Sequence, residues 1–185
     1  MGNKPIWTTV RGWEKEAEQG LLAAFAKQLV EGAIYVEIGS EHGMSASIIA
    51  LHAPFSPDIY CVEINENAQF LENIRNANID SEFIYPIFGD SKTVKIPKQI
   101  LEDGIDLLFV DGDHSFEGAL ADLERWSHYV NSNGVILVHD CACKTNLNPH
   151  ALHFPVYAAV QHFLASSGLW RVAFTVDTMM VLVRS

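Results

Sequence analysis

Five acidic side chains stand at or just beyond the ends of apolar segments that are typical of β-strands. Four of them end such segments directly, namely Glu37, Glu63, Asp111 and Asp140, and Asp90 comes two residues after the end of a fifth segment. Several anions close together are costly unless a cationic or hydrogen-donating group lies among them. Carboxylates in this arrangement can bind ligand hydroxyl groups, hold a cation or accept a proton.

Residues 35–47, YVEIGSEHGMSAS, place two glycines where a strand-like run passes into a helical pattern. Gly39 and Gly43 cost more conformational entropy than other residues would, and a ligand lying against bare backbone is the usual compensation. A nicotinamide dinucleotide normally calls for G-x-G-x-x-G, whereas this loop reads E-x-G-x-x-x-G. Glu37 would be a poor neighbour for a pyrophosphate, so the loop favours a ligand with a positive charge.

The segments VDGDHSFEG and VHDC contain further groups that are suited to proton transfer, namely Asp111, Asp113, His114 and Asp140. Asp113 and His114 also stand where they could cap the following helix. Histidines and thiols are scattered from the fifth strand onward, but not at a standard zinc spacing: His139, Cys141, Cys143, His150 and His153. We interpret residues 140–151 as a substrate loop with incidental thiols.

An alternation of strand-like and helix-like segments must position these residues. The strand-like segments are AIYVEIG, DIYCVEI, EFIYPIF, IDLLFVD and GVILVHD, and their alternation with helices predicts a parallel sheet covered on both faces. WRVAFTV and MMVLVRS, separated only by Asp177 and Thr178, predict a terminal hairpin with one antiparallel strand. The predicted class is α/β, a doubly wound sheet of seven strands that is mostly parallel. Ligands of such sheets bind beyond the carboxyl ends of the strands.

We predict a single domain over residues 1–185, with an N-terminal helical extension, 1–32, and an α/β core, 33–185. The extension contains a predicted helix over about residues 12–31, because apolar residues recur at every fourth position: Trp13, Ala17, Leu21, Phe25 and Leu29. Trp7 and Trp13 would either cover an acceptor pocket or pack this helix on the sheet.

Composition excludes several classes of protein. The chain has 185 residues, is 49% apolar and carries a net charge of −11, so nucleic acid is not expected as a partner. No apolar run approaches the roughly 20 residues of a membrane span, and no signal peptide is evident, so no membrane association is expected. Three cysteines without a secretory signal predict reduced thiols in a cytoplasmic protein. The sequence leaves open whether the protein forms a homodimer.

The successive motifs VEIGSEHGMS, YCVEIN, FGDS, LLFVDGDHSFEGALADLERW and GVILVHDC resemble those of class I S-adenosylmethionine (SAM)-dependent methyltransferases. The resemblance covers about residues 33–185. The block D-G-D-H-S-F-E-G is most similar to the small-molecule subgroup that includes the macrocin-type and sugar O-methyltransferases. The resemblance implies a Rossmann-like fold, SAM as cofactor and O-methylation of a small-molecule acceptor.

The resemblance also implies a cofactor pocket at the strand ends. Glu37 would lie near the ammonium or sulfonium group, Glu63 would hold the ribose diol, and Ile64 would lie against the adenine. Asp111 would close the pocket near the methionine moiety. The full set implied to bind the cofactor is Glu37, Gly39, Ser40, Gly43, Ser45, Glu63, Ile64, Gly89, Asp90, Ser91 and Asp111.

A hydroxyl nucleophile must lose its proton to a base or be acidified by a divalent metal. The implied catalytic residues are Asp113, His114 and Asp111. In metal-dependent relatives, the aspartates that correspond to Asp111 and Asp140 hold magnesium. Cys141 falls at the third ligand position, and a thiol is a poor magnesium ligand, so magnesium-dependent and metal-free chemistry both stay open.

Two other functions stay open at this point. One is a non-catalytic module of the same fold that binds SAM or its demethylated product, S-adenosylhomocysteine (SAH). The other is a nicotinamide oxidoreductase, against which the glycine spacing argues.

Overall fold

The computed structural model describes residues 12, 14–77, 79–141 and 154–185. They form a seven-stranded sheet in the order β3-β2-β1-β4-β5-β7-β6. Strands β1 to β5 are parallel, and β7 runs antiparallel to both of its neighbours. This topology confirms the predicted fold class. The strands are β1 Ile34–Ile38, β2 Asp58–Glu63, β3 Ile84–Phe88, β4 Ile105–Val110, β5 Val130–Val138, β6 Trp170–Val176 and β7 Met179–Arg184.

Six α-helices of the described residues cover the sheet on both faces. Helices α1 to α3 pack on one face and α4 to α6 on the other, so each face has its own apolar core. The short helix α4 was not predicted, because its six residues carry no clear apolar period. None of the helices described is long and apolar enough to cross a membrane. The helices are α1 Glu16–Ala26, α2 Met44–His52, α3 Ala68–Asn76, α4 Lys98–Asp103, α5 Phe116–Trp126 and α6 Phe154–Ser167.

Alternation along the central strands decides which helices each side chain meets. In β4, Leu107 and Phe109 pack toward α1 to α3, whereas Leu108 and Val110 pack toward α4 to α6. A strand buried on both faces reads as a continuous apolar run, which is why β4 was clear from the sequence. The same period of two directs Glu37 of β1 toward α2 and α3.

The N-terminal helix is shorter than predicted, and it buries a different face. The prediction of a helix over residues 12–31 is corrected to Glu16–Ala26, and the buried residues are Glu18, Leu22 and Ala26. The buried face lies one position after the predicted one, because it places Glu18 where Thr178, in the turn between β6 and β7, donates two hydrogen bonds to it. Trp7 and Trp13 lie outside the described residues.

Candidate functional site

The carboxyl ends of the parallel strands border a cavity of about 470 Å³. Backbone hydrogen bonds join neighbouring strand ends, from Gly39 N to the Val62 carbonyl (2.9 Å), from Asp111 N to Ile38 (2.9 Å) and from His139 N to Val110 (3.0 Å). Clefts of roughly 300–1,000 Å³ are typical of sites for small molecules and cofactors. The cavity is therefore a candidate ligand site, and backbone hydrogen bonds connect the strand ends along its rim.

The structure brings most of the predicted site residues to this cavity. Glu37, Ser40, Gly43 and Ser45 do not line it. Ser40 and Ser45 border a neighbouring space of about 20 Å³, together with Gly39 and Asp111. The predicted residues that line the large cavity are Gly39, Glu63, Ile64, Gly89, Asp90, Ser91, Asp111, Asp113, His114 and Asp140.

Glu37 lies beneath the glycine loop and does not line the cavity. Its side chain is fully buried. The hydroxyls of Tyr35 and Ser45 each donate to its Oε2 at 2.7 Å. Burial raises the pKa of Glu37 to about 7, although the bonds from Ser45 and Tyr35 act in the opposite direction. Glu37 and Ser45 thus support the loop from inside the fold.

The two glycines of the loop are required by the fold itself. Gly39 has φ +88°, and a Cβ there would lie 2.1 Å from the Asp111 carbonyl oxygen. Gly43 has φ +82°, and its Cβ would lie 2.8 Å from the Phe70 ring. L side chains rarely adopt such angles, and the space is filled by the Asp111 backbone at Gly39 and by the Phe70 ring at Gly43, so the fold explains both glycines before any ligand is considered.

Glu63 presents a fixed carboxylate to the cavity. Its Oε2 accepts a hydrogen bond from the Glu41 backbone and its Oε1 from the Ile64 backbone, both at 2.9 Å. Ile64 lies beside it with 61% of its surface exposed, although it is apolar. The Glu63 carboxylate can accept hydrogen bonds from the hydroxyl groups of one ring of a ligand, and the exposed Ile64 side chain can pack against the face of a second, adjacent ring.

Helix α5 holds the loop after β3, which contains Asp90 and Ser91. The Ser91 hydroxyl donates to the buried carboxylate of Asp122, whose pKa burial raises to about 6. Trp126 Nε1 donates to the Ser91 carbonyl at 3.1 Å. The Arg125 guanidinium donates to two further carbonyls of the loop. Hydrogen bonds to the adjacent helix thus position the loop.

Asp111 is the centre of a group of titratable side chains at the end of β4. Its Oδ1 lies 3.0 Å from His139 Nδ1 and 3.4 Å from His114 Nε2. Burial would raise the pKa of Asp111, but the hydrogen bonds from His114 and His139 outweigh burial and lower it. The bond to Asp111 in turn raises the pKa of His114. Asp140 Oδ2 lies 3.9 Å from His114 Nε2.

Asp113 supports the start of α5, whose N-cap residue is Ser115. Its Oδ1 accepts from the Ser115 backbone N–H at 2.9 Å, and the Ser115 hydroxyl accepts from Gly118 N–H at 3.0 Å. A Cβ on Gly118 would lie 2.3 Å from Asp113 Cγ, which explains the glycine of the FEG segment. The hydrogen bond from the Ser115 backbone lowers the pKa of Asp113, so Asp113 is a weaker base than His114.

Sequence reasoning missed two residues of this group, His139 and Glu18. The sequence analysis gave His139 no role of its own, but its ring is 3% exposed and lies between Asp111 and Glu18. Burial would lower the pKa of His139, but the hydrogen bonds to Asp111 and Glu18 raise it to about 11. The position of His139 directly before Asp140 was a signal for it. No local signal existed for Glu18, which is 121 residues away.

The described residues do not fit a magnesium site. Cys141 is fully buried, its thiol donates to the Val138 carbonyl at 3.3 Å, and burial raises its pKa. The side chains that do converge are Asp111, His139 and Asp140, whose ligand atoms lie within 4.8 Å of one another. Magnesium prefers oxygen ligands, whereas His139 offers nitrogen and already faces carboxylates on both sides. Cys143, His150 and His153 lie outside the described residues.

Residues 36–141 match the model of a protein family described as "Methyltransferase domain", which covers more than half of the chain. A curated relative, the uncharacterized protein R132 of Acanthamoeba polyphaga mimivirus, is 29% identical over an alignment of 122 residues, and the match covers 57% of this chain. The chain spans about half the length of that curated relative, since the alignment covers 50% of it.

Solved methyltransferase structures share the fold. An O-methyltransferase from Bacillus cereus in complex with SAH superposes with a TM-score of 0.71 and 16% identity, over 96% of this chain and 86% of the other. TomG from Streptomyces achromogenes, an O-methyltransferase of tomaymycin synthesis in complex with SAM, gives a TM-score of 0.66 and 16% identity, over 94% and 82% of the two chains. At these identities the likeness establishes the Rossmann-like fold.

Proposed function

The chain belongs to the methyltransferase-domain family, and we propose that it transfers the methyl group of SAM to a hydroxyl group of a small molecule. One observation carries the proposal. The cavity that Glu63 and Ile64 line on one side is also lined by Asp111 and His114. A group suited to a ribose and a group suited to proton transfer therefore share a single cleft. Family membership also argues against the nicotinamide oxidoreductase.

The cofactor end of the cavity has the chemistry that a nucleoside needs. Two backbone N–H groups orient the Glu63 carboxylate, which would accept hydrogen bonds from the ribose hydroxyls. Such a charge-assisted bond contributes roughly 1.5–3 kcal/mol. Ile64 would lie against the adenine, and the loop from Gly89 to Ser91 would border its edge. Bound SAM would supply a methyl group that its sulfonium already activates, so the protein chiefly aligns the reactants.

His114 is the general base of this proposal. Its ring lines the cavity, and Asp111 holds Nε2 at 3.4 Å. His114 would take the proton of the acceptor hydroxyl as that oxygen bonds to the methyl carbon and the carbon–sulfur bond breaks to leave SAH. Asp111 would stabilise the protonated ring, and Asp113 would support the segment through its hydrogen bond from the backbone of Ser115, the N-cap residue of α5.

We propose that transfer does not require magnesium. His139 Nδ1 lies 3.0 Å from Asp111 Oδ1 and 3.8 Å from Asp140 Oδ2, the pair that would hold the metal in metal-dependent relatives, and the buried Cys141 supplies no oxygen ligand. The net charge of −11 further supports a small acceptor over a nucleic acid. A cytoplasmic location and a homodimer stay predictions from sequence.

Labelled-methyl transfer from SAM to a panel of small hydroxylated acceptors tests the proposal. We expect transfer to at least one acceptor class, with no effect of EDTA. Because His114 must be unprotonated, kcat/KM should rise with pH above the ordinary histidine range, and His114→Gln should remove this limb while SAH affinity is kept. His128→Gln, a change at an exposed histidine outside the cavity, is the matched control.

Three outcomes would contradict parts of this proposal. SAH binding without transfer to any acceptor class would favour the non-catalytic module. Tight binding of NADH in place of SAH would favour the oxidoreductase. Activity that EDTA abolishes and low-micromolar magnesium restores would refute metal independence.

A further inference from the structure

Glu18 of α1 is a fully buried carboxylate that the proposed chemistry does not use. Its Oε1 accepts hydrogen bonds from the backbone N–H (2.8 Å) and the hydroxyl (2.6 Å) of Thr178. Its Oε2 accepts from the Lys15 backbone at 2.9 Å and lies 3.3 Å from His139 Nε2. Burial would raise the pKa of Glu18, but the bonds from His139 and Thr178 outweigh burial and lower it to about 2. Glu18 is therefore an anion that three parts of the chain hold in place.

The His139 ring connects Glu18 to the cavity. With Nε2 facing Glu18, the opposite nitrogen Nδ1 is directed at Asp111 Oδ1, 3.0 Å away. The same Asp111 oxygen lies 3.4 Å from His114 Nε2. A hydrogen bond at one nitrogen of a histidine fixes the orientation of the ring and therefore the direction of the other nitrogen. The four side chains thus form a continuous hydrogen-bonded series from α1 to the proposed base.

We propose that Glu18 is a positioning residue for methyl transfer, which acts through His139 and Asp111 on His114. Its catalytic consequence rests on the proposed function, whereas the orientation of His139 does not. Glu18 and Thr178 both lie outside residues 36–141, which match the family model. In this chain the N-terminal helix therefore adds a residue to a site that lies mostly in the matched segment, whereas Thr178 only anchors the far oxygen of Glu18.

The two carboxylate oxygens of Glu18 separate positioning from simple anchoring of α1. Thr178→Val removes one hydrogen bond at Oε1 and leaves the contact of Oε2 with His139 intact. Glu18→Gln keeps the size of the side chain but replaces the carboxylate, which accepts hydrogen bonds from both Thr178 and His139, with a neutral amide. A purely structural role predicts that both variants lose activity in proportion to their loss of Tm. A positioning role instead predicts a loss of rate out of proportion to the loss of Tm, because displacement of a reacting group by about 1 Å can cost about a hundredfold in rate.

The experiment measures kcat, the KM for SAM, SAH affinity and Tm for the full-length wild type, Glu18→Gln and Thr178→Val. ¹⁵N-resolved NMR of the histidine rings in the SAH complex supplies a readout that does not depend on turnover. For Glu18→Gln we expect kcat to fall at least tenfold, KM and SAH affinity to stay within about threefold, and the His139 ring signals to shift. For Thr178→Val we expect a lower Tm, kcat within about twofold of the wild type and unshifted His139 signals.

Should Glu18→Gln fail to fold, His139→Gln breaks the same series while Glu18 keeps its bonds to Thr178, and the same loss of kcat is expected. A folded Glu18→Gln protein with wild-type kcat, or parallel losses of kcat and Tm in both variants, would overturn the proposal. If no acceptor is ever methylated, the proposed function fails, yet the NMR comparison still tests the orientation of His139. Unchanged ring signals in Glu18→Gln would then refute the positioning role on their own.

Discussion

Glu18 and Glu37 are both fully buried, yet their surroundings give them opposite preferences for a proton. Glu18 accepts from two backbone N–H groups and the Thr178 hydroxyl and faces the charged His139, and its pKa falls to about 2. Glu37 accepts from Tyr35 and Ser45 only at one oxygen, and its pKa rises to about 7. The number of donors and the presence of a cation decide the balance against desolvation. Glu18 therefore carries a negative charge near the site, whereas Glu37 supports the glycine loop.

Glu37 makes stability depend on pH. Because its pKa is raised from 4.5 to about 7 by burial, the folded protein binds more protons than the unfolded chain between these values. The contribution of Glu37 to the free energy of unfolding is therefore present below pH 4.5 and is lost as pH rises through 7. Between pH 5 and pH 8 this loss amounts to about 2–3 kcal/mol.

Glu37→Gln should remove that part of the pH dependence, because the amide keeps the acceptor for Tyr35 and Ser45 but does not ionise. Urea unfolding of the wild type and Glu37→Gln at pH 5 and pH 8 measures the free energy of unfolding and therefore its dependence on pH. Identical pH profiles for the variant and the wild type would show that Glu37 is ionised throughout in the folded state.

Glu63 is the residue on which the cofactor proposal depends most. Glu63→Ala should weaken SAH binding by about one to two powers of ten, since a charge-assisted hydrogen-bond pair is lost. The fold should change little, because the side chain projects from a strand end into the cavity. Calorimetry with SAH measures the effect, and Glu66→Ala, an exposed glutamate nearby on the chain, is the control. Equal affinities for both variants would remove Glu63 from the ribose site.

At the scale of elements, the turn from β1 to α2 is built by contact between two strand ends. Gly39 combines φ +88° with a Cβ position 2.1 Å from the Asp111 carbonyl oxygen. Gly39→Ala should therefore cost at least about 2 kcal/mol of stability and reduce SAH binding only as a consequence. Gly20→Ala is the matched control, because its Cβ would meet no atom within 4 Å on a helix, and it should stabilise by about 0.5–1 kcal/mol.

Thermal unfolding of both glycine variants checks this interpretation. A Gly39→Ala protein with wild-type Tm and no SAH binding would instead support the original expectation from sequence, that this glycine serves the ligand.

The sequence predicted the elements well where a local pattern determines them. The continuous apolar run of β4 and the two-residue turn at Asp177 and Thr178 were clear, and acids at strand ends correctly indicated the edge of the sheet with the cavity. The direction of single side chains was less predictable. Glu37 lies at a strand end, yet the alternation of side chains along the strand directs it into the interior. In α1, the buried face contains Glu18 and is not the face on which apolar residues recur in the sequence.

At the scale of the whole molecule, the strand order places the site. The order β3-β2-β1-β4-β5 reverses between β1 and β4, and at this reversal the loop after β1 touches Asp111. Ligands of open α/β sheets bind at such a switch point, so alternation of elements alone was enough to predict the location. The contacts of Glu18 with His139 and Thr178, at separations of 121 and 160 residues, were beyond prediction because no local pattern encodes them.

A crystal structure of the protein with SAH in the presence of magnesium tests the central claim most directly, namely that the strand-end cavity is a SAM site operating without magnesium. We expect the ribose hydroxyls within hydrogen-bond distance of Glu63, the adenine beside Ile64, and His139 still between Glu18 and Asp111 with no metal at Asp140. SAH bound elsewhere, or a magnesium ion coordinated by Asp111 and Asp140, would contradict it.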